Sequence, residues 1–266
     1  PKVDESIDSS LDEAQHYFDS NTELRSVLGI PPDASVDVHY LAEGEHNRNF
    51  WFLSPEDGRR YVLRINLTKQ PFHEDQVGYE YMALQALSES GCTPVPYYVD
   101  PTDKAPANGA LVMSFCEGTT LDFDCLQAGD MERVAQIMAN VHAVKPKSNH
   151  IYKPENALVE LYEECSNNYA VYADSSCQDA RISAWAERFL SAVEKDLASP
   201  VNNNDRTHIL NAEPLASHFL IPHDEDASQV PGYFIDWERP IIGEVAQDLG
   251  YFLVPTSTFW DSDTLI

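Results

Sequence analysis

From Val36 to Phe115 the apolar residues of this 266-residue chain run in short, mostly alternating stretches, and from Met131 to Leu197 they recur every three to four residues. A period of 2 sends neighbouring side chains to opposite faces of a sheet, whereas a period of 3.6 paints a stripe along a helix. The two stretches therefore need different architectures, and the change falls after Cys116-Glu117-Gly118. Val36, Val38 and Tyr40 open a first strand, 50–53 form a second and 61–65 a third, with Ser54-Pro55-Glu56-Asp57-Gly58 turning between the last two. Val77, Tyr81, Leu84 and Leu87 give a helix over 73–87 that Gly91 stops, and 94–99 and 109–115 add two strands. The order is β-β-β-α-β-β. Helices come next over 131–144, 156–172 and 179–197, then polar Asn202-Asn203-Asn204-Asp205. Short strands close the pattern at 208–210, 219–221 and 233–235, the last two separated by the acidic His223-Asp224-Glu225-Asp226 turn. Two short helical patterns at 11–18 and 22–28 read as a lid on the strand region that begins at Val36. The sequence predicts an α+β chain: a helical extension (1–35), a small mostly antiparallel β N-lobe (36–115) and a helical C-lobe (116–266) whose abrupt C-terminal end reads as incomplete.

Charge narrows the partners. Lys and Arg number 17 against 44 Asp and Glu, a formal charge of -27, which repels nucleic-acid phosphates and anionic lipid headgroups. The sequence thus predicts no nucleic-acid and no membrane partner. The acid is spread, net -11 over residues 1–116 and -16 over 117–266, with only 7 Lys, a distribution that reads as a salt-adapted surface rather than a cation-binding cleft. Five cysteines, an odd number without a C-x-x-C pair, fit a reducing cytoplasm. No apolar run reaches the roughly 18 residues that span a bilayer, and no signal-peptide core comes after Pro1.

Five segments stand out in order. Residues 42–50 carry Gly44 and Asn47 between two strands, and Arg64 sits in Val62-Leu63-Arg64-Ile65, with Glu80 on the next helix. Ser114-Phe115-Cys116-Glu117-Gly118 lies at the change of period. Asn211-Ala212-Glu213-Pro214-Leu215-Ala216-Ser217-His218 precedes an apolar strand, and Phe234-Ile235-Asp236-Trp237-Glu238 runs towards Asp248-Leu249-Gly250. Singly, each has an ordinary reading: a hairpin loop, a cation snorkelling at a sheet edge, a turn carboxylate. In this order and spacing, over about Leu41 to Phe252, they resemble the aminoglycoside phosphotransferase and choline kinase family of small-molecule kinases.

The resemblance implies the two-lobed protein-kinase-like fold and ATP- and Mg²⁺-dependent phosphorylation of a small hydroxylated substrate. It implies a phosphate-covering turn at Gly44 and Asn47, a phosphate cation in Arg64 aligned by Glu80, and an adenine-binding hinge at Ser114, Phe115 and Cys116. Asp236 becomes a ligand of the phosphate-bound Mg²⁺. The catalytic loop departs from the family's H-G-D-x-x-x-x-N. Glu213 stands for the base, one methylene longer, and His218 occupies the second metal position, where only neutral imidazole binds a cation. These departures leave two other readings: a nucleotide-binding pseudokinase or scaffold, and a metal hydrolase built on Asp236, Glu238 and His218. His142 and Asp248 read as structural.

Overall fold

The computed structural model describes residues 2–68, 74–101, 108–147, 150–197, 208–222 and 230–259. The Asn202–Asp205 stretch and the acidic 223–226 turn lie outside them. In chain order the elements are α1 (Lys2–Ser20), α2 (Thr22–Val27), β1 (Val38–Glu43), β2 (Asn47–Leu53), β3 (Arg60–Asn66), α3 (Gln76–Leu87), β4 (Pro96–Asp100) and β5 (Ala110–Ser114). After these come β6 (Thr119–Thr120), α4 (Asp130–Ala143), α5 (Ala157–Ala173), α6 (Ala180–Leu197), β7 (His208–Leu210), β8 (Phe219–Ile221), β9 (Tyr233–Phe234), β10 (Ile241–Gly243) and α7 (Val245–Phe259).

The first five strands make one antiparallel sheet in the order β1-β2-β3-β5-β4. Its two faces explain the alternation in the sequence. Phe50, Phe52, Leu63, Ile65 and Val112 point to one side, where Tyr17, Phe18 and Leu24 of α1 and α2 cover them, Phe18 and Phe52 lying 4.6 Å apart between ring centres. The supposed lid is therefore half of a core. Val62, Leu111 and Met113 point to the other side and join one apolar cluster with Val77, Leu84 and Leu87 of α3 and with Ile137, Val141, Phe219, Phe234 and Trp237 beyond the hinge. The core is therefore continuous across the two lobes.

Beyond Ser114 the chain crosses to a three-stranded sheet, β6-β8-β9, and β7 pairs with β10. Gly118 makes the crossing possible: its φ is 153°, and a Cβ there would lie 3.1 Å from the backbone of Leu220 and Ile221. The small sheets carry the 211–218 and 235–240 loops at their ends. The helices α5 and α6 form at the positions that the periodicity marks, yet their apolar stripe is left exposed among the described residues, with Trp185 59% exposed and stacked on Phe189 at 5.4 Å.

Candidate active site

Strand alternation decides where Arg64 goes. Leu63 and Ile65 take the face covered by α1, so Arg64, opposite Asn49 on β2, is left on the face that looks at α3 and the far lobe. Its guanidinium is 5% exposed, and Nη1 donates to Glu80 Oε1 at 2.7 Å and to Asp236 Oδ1 at 3.1 Å, with Glu238 Oε1 at 3.5 Å. Nε donates to Asn49 Oδ1 at 3.1 Å. Glu238 is committed in turn: Oε1 accepts from Asn47 Nδ2 and Oε2 from Gln76 Nε2 at 3.1 Å. Asn49 Nδ2 donates to Asn47 Oδ1 at 2.9 Å and closes the network.

One cation thus faces three carboxylates in a largely dry space. Burial lowers Arg64, but Glu80, Asp236 and Glu238 more than offset it, so the guanidinium holds its proton more tightly than usual. Burial pushes the Glu80 carboxyl up against the pull of Arg64, and Glu238 rises for the same reason, with Asp236 adding like charge. Three carboxylates thus share one guanidinium, and the upward shifts of Glu80 and Glu238 ease their crowding by favouring the protonated forms.

The 211–218 loop is hung from α7. Buried Asp248 accepts the backbone N–H of Asn211 on Oδ2 at 3.1 Å and of Ala212 on Oδ1 at 2.9 Å, and His142 Nε2 meets Oδ2 at 2.9 Å. Ala212 and Asp236 have φ of 70° and 67°, and among the described residues they alone, glycines aside, lie in the left-handed region. Asn211 Nδ2 donates to the Asp236 carbonyl at 2.7 Å and Trp237 Nε1 to the Phe234 carbonyl at 2.8 Å, which fix the turn that aims Asp236 inward. His218 Nε2 lies 3.3 Å from Asp236 Oδ2, and Leu215 N–H donates to His218 Nδ1 at 3.5 Å. Glu213 turns instead to Tyr251, whose hydroxyl donates to Oε1 at 3.1 Å.

At the hinge, Ser114 N–H donates to Val95 O at 2.8 Å and Phe115 N–H to Arg60 O at 3.3 Å. An adenine edge would find its N–H donor past Phe115. The Arg60 guanidinium stacks on the Phe115 ring at 4.3 Å and pairs with Glu117, bracing the hinge from outside. Burial pushes the Cys116 thiol up to about 12, which suits a packing residue and not a nucleophile.

With this geometry in place, a family model described as the phosphotransferase enzyme family matches residues 37–266. The chain belongs to that family. Among proteins of curated function, none matches it by sequence. Among solved structures, a Ralstonia eutropha JMP134 protein assigned to the aminoglycoside phosphotransferases is 19% identical with a TM-score of 0.64, over 89% of this chain and 68% of that one. A Plasmodium vivax ethanolamine kinase is 15% identical at a TM-score of 0.58, over 84% of this chain and 62% of its own. A thermostable mutant of aminoglycoside phosphotransferase APH(4)-Ia, in ternary complex with ADP and hygromycin B, is 20% identical at 0.55, over 87% and 75%. At these identities the likeness is one of fold: two lobes, kinase-like, as the segment order implied.

For this phosphotransferase-family chain the structure gathers Arg64, Glu80, Asp236 and His218 around one point and ties Asn47 to it through Glu238. Gly44 N–H donates to Asn47 O at 2.9 Å in the β1–β2 turn, and a methyl group at Gly44 would meet nothing nearer than 3.5 Å. Ser114, Phe115 and Cys116 line the crossing, and Glu213 stays with Tyr251. Sequence reasoning passed over Asn49, Gln76 and Tyr251. Asn49 had a signal, lying two residues from Asn47 on the same strand face, and Gln76 lies one helical turn before Glu80. Among the described residues no three His, Cys, Asp or Glu side chains are grouped to hold a metal. Asp236, with a side chain 33% exposed, offers a hard oxygen donor of the kind that a divalent cation such as Mg²⁺ takes.

Proposed function

We propose that the chain transfers the γ-phosphate of ATP, with Mg²⁺, to a hydroxyl of a small molecule. The observation that carries this reading is Arg64 held between Glu80 and Asp236, a buried cation aligned from a helix and from the far lobe. Phosphoryl transfer needs little covalent chemistry from a protein and much positioning of charge, which such a fixed guanidinium supplies. Arg64 orients the phosphates, Glu80 fixes Arg64, and Asp236 holds the cation, which when bound neutralises charge on the transferring oxygens. Gly44 and Asn47 form the turn over the phosphates, and Ser114, Phe115 and Cys116 wall the base. Glu213 takes the acceptor's proton on Oε2, since Oε1 holds Tyr251. On this reading 1–35, 36–115 and 116–266 are extension, nucleotide lobe and acceptor lobe. The partners are small molecules, not nucleic acid or membrane; among the described residues no helix is long and apolar enough to cross a bilayer. All five cysteines are unpaired, which supports a cytoplasmic setting.

The test has two parts. Millimolar ATP with Mg²⁺ should raise the melting temperature by mass action, and labelled γ-phosphate should pass to an alcohol in a screen of candidates. Glu213→Gln should keep nucleotide binding and lower transfer by about 10²-fold or more, whereas Asp236→Asn should weaken nucleotide affinity and Mg²⁺ dependence together. The hydrogen bond between Glu213 and Tyr251 favours one other reading, a nucleotide-binding pseudokinase whose base is tied back. Binding without transfer, unchanged by Glu213→Gln, would select it. No melting shift with either ATP or GTP would remove both.

A further inference from the structure

The Glu238 carboxylate lies in a cradle of nitrogen donors drawn from three separate elements. Asn47 Nδ2, at the start of β2, donates to Oε1, and Gln76 Nε2, in the first turn of α3, donates to Oε2 at 3.1 Å. Arg64 Nη1, from the middle of β3, stands 3.5 Å from Oε1. None of these four residues is more than 8% exposed. Donors placed this deep need an acceptor, and a group with two or more anionic oxygens matches all three at once. A carboxylate is one such group, and a phosphate is another.

Glu238 reaches the cradle from the far lobe, 191 residues along the chain from Asn47 and 162 from Gln76. It therefore ties the β1–β2 turn and the start of α3 to the 235–240 loop. The tie closes over Arg64, the cation that the functional reading gives to the phosphates, whose guanidinium is ringed by Glu80, Asp236 and Glu238. A carboxylate and a phosphate cannot fill one cradle together. A phosphate oxygen that entered it would accept from the same amides and guanidinium, so the exchange keeps the hydrogen bonds and is decided by the ligand's other contacts.

Building on the phosphotransferase reading, we infer that this cradle is a phosphate subsite for which Glu238 competes, a latch from the far lobe, and that Gln76 is a phosphate ligand alongside Asn47 and Arg64. The test titrates the full chain with the non-hydrolysable analogue AMP-PNP at a fixed Mg²⁺ concentration, followed by calorimetry. Removing a competitor raises the binding-competent fraction, so Glu238→Ala should bind at least about fivefold more tightly than the wild type. Gln76→Ala added to Glu238→Ala should undo most of that gain. Unchanged or weaker binding in a folded Glu238→Ala would overturn the inference, because Glu238 would then support the site from within. A gain that survives Gln76→Ala would remove Gln76 from the phosphates and overturn it equally. If the variants fail to fold, a crystal structure of the wild type with AMP-PNP decides. A phosphate oxygen within hydrogen-bond distance of Gln76 Nε2, with Glu238 displaced, bears the inference out, and Glu238 still held by both amides sinks it. Failure of the functional reading looks different: AMP-PNP binds neither the wild type nor Glu238→Ala, and both fall.

Discussion

Ala212 occupies a conformation that costs an L residue about 1 kcal/mol, because Cβ crowds the carbonyl after it when φ is positive. Its N–H and that of Asn211 donate to Asp248 and hold it there, so the strain is offset by a buried carboxylate that would otherwise lose its partners. Glycine has no such crowding, and Ala212→Gly should stabilise the protein by roughly 0.5 kcal/mol, the relief being partly cancelled by the extra freedom of the unfolded glycine. A urea titration reads this as a raised midpoint at unchanged slope; a lowered midpoint would mean that the loop is not strained in solution. Glu80 supplies a second prediction, with a sign. Its folded carboxyl is pushed by burial from 4.5 up to about 7, so the folded state keeps a proton that the unfolded chain has lost. That contribution to stability is present in full below about 4.5 and is lost as the pH rises towards 7. Glu80→Gln cannot titrate. The stability of the wild type relative to this variant should therefore fall between those limits, and a flat difference would show that Arg64 keeps Glu80 ionised throughout.

Glu80 reaches Arg64 only because α3 starts where it does. Asp75 precedes the helix, and its Oδ1 accepts the Gly78 N–H at 2.9 Å, satisfying one of the donors that a helix start leaves over. Asp75→Ala should cost about 1 kcal/mol in global unfolding. It should also weaken nucleotide binding, because the first turn carries Gln76 and sets the register of Glu80. Loss of stability with nucleotide affinity unchanged would separate the two roles. The elements themselves were legible in the sequence where the period was strong: β2, β3, β5 and α4 lie within a few residues of their expected bounds. The five segments that carry the family resemblance were legible from their residue types and their order, even where, as with Arg64 inside β3 and Glu80 inside α3, no punctuation residue marks the position. Partnering was not legible. Nothing in a helical pattern at 11–18 says that Tyr17 and Phe18 close the outer face of the sheet, and nothing in Asp236-Trp237-Glu238 says that Glu238 is held by Asn47 and Gln76. Those contacts join residues far apart in the chain, and local propensity carries no information about them.

At the scale of the whole molecule the charge of -27 is the dominant uncompensated term, and its even spread means that no single contact relieves it. Some pairs do form on the surface, such as Lys147 with Glu89 and Arg60 with Glu117. Exposed pairs of this kind contribute roughly 0–1 kcal/mol each and weaken as salt is added. The buried set around Arg64 is shielded from ions and changes little. Long-range repulsion among 44 acidic residues against 17 basic ones outweighs the few exposed pairs, so screening should stabilise the fold. The Debye length falls from about 10 Å at 0.1 M to about 3 Å at 1 M, so most of the gain should arrive in the first few tenths molar. We therefore expect the midpoint of unfolding in urea, an uncharged denaturant, to rise from dilute buffer to molar KCl and to level off early. KCl is the proper salt, because sulfate would strengthen apolar burial and mimic the effect. A rise that continues linearly beyond that range would point to burial rather than charge. Equal midpoints in dilute and molar KCl would show that the acidic coat is balanced locally and that salt adaptation is the wrong reading of it.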